Sequence, residues 1–283
     1  MAYTAQITRT SPSAIVFLLD QSGSMAASFG ADPSQSKAAK LADAINRLLF
    51  ELTLKCTKDH KETRPYYEIG VIGYGPGVGP AFGGNLAGHD LVSIVDVADN
   101  PARVEERERK TDDGAGGLVS EKVKFPVWFD SVSDNATPMC EALAYAKKIL
   151  EPWCKDHPTS FPPIVINVTD GEVTDGDPTG PADDLRKLGT NDGALLLFNA
   201  HISAISGKTV LYAESEAALP DQFGQTLFRM SSLMPPQFQE LAGSRGLKIS
   251  SRSRGIAFNA DLVTVIEFLD IGTKGLQAQQ VAG

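Results

Sequence analysis

Asp20-Gln21-Ser22-Gly23-Ser24 sets three oxygen-bearing side chains at alternating positions, with a glycine that lets the turn close tightly. Far downstream stands Asp170-Gly171, and between the two lies Thr137, directly before a proline. Two carboxylates and three hydroxyls, without His or Cys, form a hard oxygen set that suits Mg²⁺ or Mn²⁺ over zinc. Mg²⁺ takes about six oxygens and commonly keeps several waters, so these side chains would supply only part of a shell. Hydroxyls bring no charge. The ion would stay electrophilic toward an incoming anion, above all an Asp or Glu carboxylate offered by a partner protein.

Other motifs carry less. His89-Asp90 has the composition of a hydrolase metal dyad, but it follows a glycine-rich loop, and only His60 precedes it as a further histidine. Gly207-Lys208-Thr209 ends like a P-loop, yet Ile202 stands where the first glycine of that motif must be. His201, in an apolar run, reads as a core histidine. Cys140 falls in the first turn of an expected helix, where the dipole lowers a thiol pKa, but no His lies nearby in sequence to act as base. Arg245, Lys248, Arg252 and Arg254 crowd one short segment that reads first as a solvated loop and otherwise as a docking patch for an acidic partner. The charge run Glu105 to Lys110 reads as a solvated face.

The elements that must position the oxygen set alternate along the chain. Ala14 to Leu19 is a short, β-branched-rich apolar run, as expected of a parallel strand buried on both faces, and it ends at Asp20. Asp32-Pro33, with Gln35 completing a capping box, is expected to open a helix whose apolar face holds Leu41, Ile45, Leu48 and Leu52. Tyr67 to Tyr74 is a second strand. Leu91 to Val97 and Val123 to Phe129, joined by a charged, glycine-containing excursion, are expected to pair as a β-hairpin insertion at the sheet edge. Thr137-Pro138 opens another helix as cap and first residue, with Met139, Leu143, Ala146, Leu150 and Trp153 on one face. Pro163 to Val168 is the next buried strand and ends at Thr169-Asp170-Gly171.

Beyond it, Pro181 to Leu188 is helical, Ala194 to Phe198 continues to Ile205 as strand, and Thr209 to Tyr212 is a further strand candidate. Phe223 to Met230 and Gln237 to Leu241 read as helices. A terminal helix capped by Asn259 carries Leu262, Ile266 and Leu269 and is stopped by the run from Gly272 to Gly275. Strand alternating with helix over this length gives a doubly wound, mostly parallel α/β sheet. In such a sheet ligands bind outside the carboxyl ends of the strands, where the loops after Leu19 and Val168 converge.

Composition narrows the functional classes. The chain has 283 residues, 42% hydrophobic and 22% charged, which is ample for a real core. A formal charge of -9, from 26 basic and 35 acidic side chains, argues against nucleic acid and anionic membrane as partners. The longest purely apolar run has six residues, against about 20 for a bilayer span, and the N-terminus has no secretory pattern. Cys56, Cys140 and Cys154 form no C-x-x-C pair and read as buried thiols of a cytoplasmic protein. Of two glycosylation sequons, the one at Asn167 lies inside an apolar strand-like run.

Asp20-x-Ser22-x-Ser24, then Thr137, then Asp170 resembles the metal-ion-dependent adhesion site of von Willebrand factor type A domains, in residue identity and order. The resemblance implies a Rossmann-like fold covering residues 1–283, with an insertion at about 75–134 and a C-terminal extension at about 213–283. It implies that Ser22 and Ser24 hold Mg²⁺ or Mn²⁺ directly, with Asp20, Thr137 and Asp170 binding directly or through water. It also implies a non-enzymatic module that captures an acidic residue of a partner. A cytosolic, acidic chain of this kind resembles bacterial members found beside Ser/Thr kinases and phosphatases or in stress-resistance systems. The alternative from another class is a metal-dependent phosphoester hydrolase, which needs a general base or a second metal.

Overall fold

The computed structural model describes residues 3–29, 32–59, 62–112, 118–203 and 208–274. Five strands run parallel: β1 (Ser13–Asp20), β2 (Tyr67–Tyr74), β3 (Ile164–Thr169), β4 (Leu196–Ile202) and β5 (Ile256–Ala260). Their spatial order is β2-β1-β3-β4-β5. Short antiparallel strands flank them: Val78–Pro80 and Val92–Ser93 pair with β2, and Val210–Leu211 pairs with β5. From β1 the chain steps outward to β2 and then crosses back to β3, so the winding direction reverses between β1 and β3. That reversal opens a crevice at the carboxyl ends of these two strands.

The helices, among the described residues, are α1 (Lys37–Cys56), α2 (Ile94–Asp99), α3 (Met139–Asp156), α4 (Thr179–Arg186), α5 (Gln222–Met230), α6 (Pro236–Ser244) and α7 (Leu262–Lys274). None is long and apolar enough to cross a membrane. Strand β1 is buried throughout, and its alternation divides the core. Ile15, Phe17 and Leu19 face α1, α2, α6 and α7, whereas Ala14, Val16 and Leu18 face α3, α4 and α5. The result is a largely parallel sheet covered by helices on both faces, as in Rossmann-like folds. The apolar faces expected for the helices around residues 41–52 and 139–153 are buried as the spacing requires.

Several elements differ from expectation. Asp32–Ser36 pairs with Ser28–Phe29 as a small antiparallel excursion, and α1 starts at Lys37 with the Ser36 hydroxyl accepting from Ala39 N at 3.1 Å. The cap at Asp32 is thus displaced by local pairing. Leu91–Val97 is not a hairpin strand: only Val92–Ser93 is extended, and Ser93 then caps α2 by accepting from Val95 N at 3.3 Å. Ile94 and Val97, three apart, both bury on one helical face. The hairpin instead pairs Arg103–Asp112 with Leu118–Val127 and forms a two-stranded sheet of its own, with no strand pairing to the central sheet among the described residues.

The expected solvated run at Glu105–Lys110 is therefore strand. Arg103, Glu105 and Arg107 alternate onto one face; Arg107 pairs with Glu105 and with Asp43 of α1, and its guanidinium stands 3.7 Å over the Phe125 ring. Asn46 of α1 fastens the end of the hairpin: its Nδ2 donates to Phe129 O at 3.1 Å, and its Oδ1 accepts from Trp128 N at 2.8 Å.

Near the C-terminus, Ile256–Ala260 extends the sheet as β5, a strand not anticipated from sequence. Asn259 sits inside it at φ 52, a left-handed conformation Asn tolerates, and donates its N–H to His201 Nδ1 at 3.2 Å. Asp261 caps α7 instead, accepting from Thr264 N at 2.8 Å, and the buried face is Val265, Phe268 and Leu269. Ile266 is only partly buried, and the Leu262 side chain lies outside the described residues, as do His60, Ile205, Gly207 and Gly275.

Candidate metal centre

Strand β1 delivers Asp20 into the crevice as its last residue, 1% exposed. The Asp20 carboxylate folds the following turn onto itself: Oδ1 accepts from Ser22 N at 2.9 Å, while Oδ2 accepts from Thr169 Oγ1 at 2.7 Å and, weakly, from Asp170 N at 3.4 Å. A short 3₁₀ turn at Gly23–Ala26 then points the two serines the same way. Ser22 Oγ and Ser24 Oγ lie 2.9 Å apart, and Ser24 Oγ donates to Asp170 Oδ1 at 2.5 Å. Asp20, Ser22, Ser24 and Asp170 are thus joined into one network across β1 and β3.

Thr137 reaches the same edge through its backbone. Its carbonyl accepts from Thr174 N at 3.1 Å, its N–H donates to Thr174 Oγ1 at 2.9 Å, and the neighbouring Asn135 O accepts from Gly23 N at 3.0 Å. The threonine, 5% exposed, is therefore clamped between the loops that follow β1 and β3. It does not cap α3 as its position suggested. That helix begins at Met139 after Pro138, and the Asp175 carboxylate accepts from Cys140 N at 3.1 Å and Glu141 N at 2.9 Å. A proline with ψ 65 at residue 138 turns the chain away from the geometry in which Thr137 could reach those donors.

The loop after β1 passes close beneath β2. Gln21 donates its N–H to Tyr74 O at 2.7 Å and accepts from Asp134 N at 2.8 Å. Glycine is required opposite it, because a Cβ at Gly75 would stand 2.5 Å from Gln21 O. Under the crevice a row of buried polar groups crosses the sheet. Tyr74 Oη donates to Asn167 Oδ1 at 2.7 Å, Asn167 Nδ2 to Asn199 Oδ1 at 3.0 Å, and Asn199 Nδ2 to Ser231 Oγ at 2.9 Å. Each member is paired, so the row fixes the relative heights of β2, β3 and β4 without an orphaned dipole.

Burial pushes the Asp20 carboxyl above its ordinary range, against the hydrogen bonds from Ser22 and Thr169 that favour its charge; the Asp170 charge adds to the rise. Burial likewise raises Tyr74, helped by the charge on Asp20, and keeps its hydroxyl a neutral donor. One cation already touches the network. Lys37, the first residue of α1, donates from Nζ to Asp170 Oδ2 at 2.7 Å, with the two side chains 12% and 0% exposed. Sequence reasoning missed Lys37, Thr169 and Asp175.

Among the described residues no group of three or more His, Cys, Asp and Glu stands together to hold a metal. Two carboxylates with hydroxyls remain; the Ser24–Asp170 contact is shorter than an octahedral edge, since adjacent oxygens around an ion with bonds of 2.0–2.1 Å stand about 2.9 Å apart. The Ser22–Ser24 edge has that length.

The other sequence candidates resolve into structural roles. Asp90 accepts from Tyr145 Oη at 2.5 Å, and His89 Nδ1 lies 3.3 Å from Leu86 O. Arg245 pairs with Asp270, Arg252 with Glu214, and Arg254 donates to Ser231 O while stacking on Phe228. Cys56 and Cys154 are buried, but Cys140 is partly exposed, and none of the three forms a disulfide. Desolvation and then Asp175 push the Cys140 thiol up to about 11, opposite to the lowering expected from the helix dipole alone.

No protein-family model matches the chain, and no curated protein matches it. Among solved structures it is similar to the pilus adhesin RrgA from Streptococcus pneumoniae, at 16% identity over 60% of this chain and 22% of the adhesin chain, with a TM-score of 0.32. At that score the likeness bears on neither fold family nor function.

Proposed function

We propose that the chain is a von Willebrand factor type A-like module in which Asp20, Ser22, Ser24, Thr137 and Asp170 hold Mg²⁺ or Mn²⁺ and present it to an acidic residue of a partner protein. The observation that carries this reading is the Ser22–Ser24–Asp170 oxygen edge, with contacts of 2.9 and 2.5 Å, at the strand-order reversal between β1 and β3. The strand order, the helices on both faces and the identity of all five residues support the family reading. Bound there, the ion supplies Lewis acidity toward a carboxylate. The chain's own groups do the rest: Asp20 organises the turn, the serines supply neutral oxygens, and Asp170 with Thr137 closes the crevice from the β3 side.

The hydrolase alternative needs a general base. His201, on the strand beside β3, is stacked on Phe258 at 4.5 Å with Nδ1 accepting from Asn259, and burial lowers its pKa, so it is poorly placed to serve. None of the three cysteines forms a disulfide, which suits a reducing compartment. With the family resemblance, that supports reading the protein as bacterial and cytoplasmic, in phosphorylation signalling or stress resistance.

Thr137→Ala separates metal holding from partner capture. The four remaining side chains should keep the ion, with Mg²⁺ affinity falling about three- to tenfold for the loss of one oxygen ligand. Binding of an Mg²⁺-dependent partner should fail, because Thr137 alone joins the ion to the segment that opens α3. Calorimetric Mg²⁺ titration paired with capture in Mg²⁺ and in EDTA tests this. Wild-type capture by the variant would remove Thr137 from the site.

A further inference from the structure

We infer that Lys37 is a resident cation that holds down the affinity of the site for its divalent ion, an inference that rests on the metal reading above. A lysine at the first position of a helix faces the positive end of the dipole, an unfavourable place for an ammonium. Here the side chain turns out of the helix and places Nζ 2.7 Å from Asp170 Oδ2, in a contact almost closed to solvent. The carboxylate is thereby divided: Oδ2 belongs to Lys37, and Oδ1 faces Ser24 on the hydroxyl edge.

The sign of the effect follows from charge. Outer partners that strengthen a metal site are usually carboxylates or carbonyls, which accept hydrogen bonds from the ligands and make them more basic. Lys37 does the reverse, donating to a ligand oxygen and setting a positive charge beside the position of the ion, inside a crevice where screening by water is weak. Asp20, Asp170 and Lys37 together carry -1, so a divalent ion leaves the site at +1. The excess charge opposes the metal alone and favours the metal together with a carboxylate. Metal loading is thus tied to the arrival of an acidic ligand.

The test is calorimetric titration with Mg²⁺ alone on wild type, Lys37→Gln, Lys37→Met and Lys37→Arg, each shown to be folded by its metal-free melting curve. Gln keeps a donor without the charge, Met removes both, and Arg keeps both. Gln and Met should each tighten Mg²⁺ binding roughly three- to tenfold, and Arg should match wild type. Weaker binding in Met with unchanged binding in Gln would make Lys37 a positioning residue and overturn the inference. Unchanged affinity in both neutral variants would also overturn it while leaving the metal site standing. If none of the four proteins binds Mg²⁺, the metal reading falls and the inference falls with it.

Discussion

Asp20→Asn should abolish the Mg²⁺-dependent rise in melting temperature and cost the metal-free protein nothing in stability. The carboxylate is 1% exposed, and its burial outweighs the hydrogen bonds that favour its charge. Asn has the same shape, still accepts from Ser22 N, and can donate to the Thr169 hydroxyl once that group rotates; it loses only the weak contact with Asp170 N at 3.4 Å, which the relief of the buried charge offsets. For the wild type, Mg²⁺ at 100 times its Kd adds about 2.7 kcal/mol. At roughly 2–4 °C per kcal/mol for chains of this size, the rise is about 5–10 °C. The variant should show none of it.

The same burial sets a pH dependence. The folded Asp20 keeps its proton to higher pH than the unfolded chain does, so metal-free wild type loses stability as pH rises from the ordinary Asp value through the raised one. That slope should vanish in Asp20→Asn. Differential scanning fluorimetry across pH, with Mg²⁺ and with EDTA, reads both effects. A full metal shift in the variant would place the ion elsewhere.

The largest loss of stability is expected at Asn46, which lies far from the metal ligands. Its amide is 1% exposed and makes two hydrogen bonds to the backbone at Trp128 and Phe129, holding the end of the hairpin against α1. Leu has a similar volume and greater helix propensity, so neither a cavity nor a weaker helix enters. What remains is one backbone N–H and one carbonyl, both buried and without a partner, at about 1–3 kcal/mol each. Asn46→Leu should therefore lower stability by about 2–6 kcal/mol in urea unfolding. A change under about 1 kcal/mol would mean that water or a backbone shift satisfies both groups.

Asp20, Ser22, Ser24 and Asp170 were legible in the sequence as polar residues at the ends of apolar strands, whereas Thr137 stands before a helix. The apolar faces of α1 and α3 were legible because their 3–4 spacing persists for several turns. Helix starts were less so: Asp32-Pro33 and Thr137-Pro138 both carry sound capping chemistry, yet local strand pairing moved one start to Lys37, and Asp175 supplied the cap for the other. One strand of the hairpin was legible because Val123, Phe125 and Val127 alternate onto one face; its partner, Arg103–Asp112, was not, because it alternates charge with charge and Arg107 pairs with Asp43 of α1. Strand β5 is five residues long and ends at an Asn that resembles a cap. No local pattern could have shown Lys37 meeting Asp170, 133 residues away.

The most direct measurement is anomalous diffraction from crystals grown or soaked with Mn²⁺. The proposed centre requires a peak bonded to Ser22 Oγ and Ser24 Oγ at about 2.0–2.3 Å, with Asp170 on the same side, Lys37 outside the shell and one coordination position open to water or a carboxylate. Ordered side chains at Asp20, Ser22, Ser24 and Asp170 without a manganese peak among them, at Mn²⁺ concentrations that saturate the thermal shift, would contradict it.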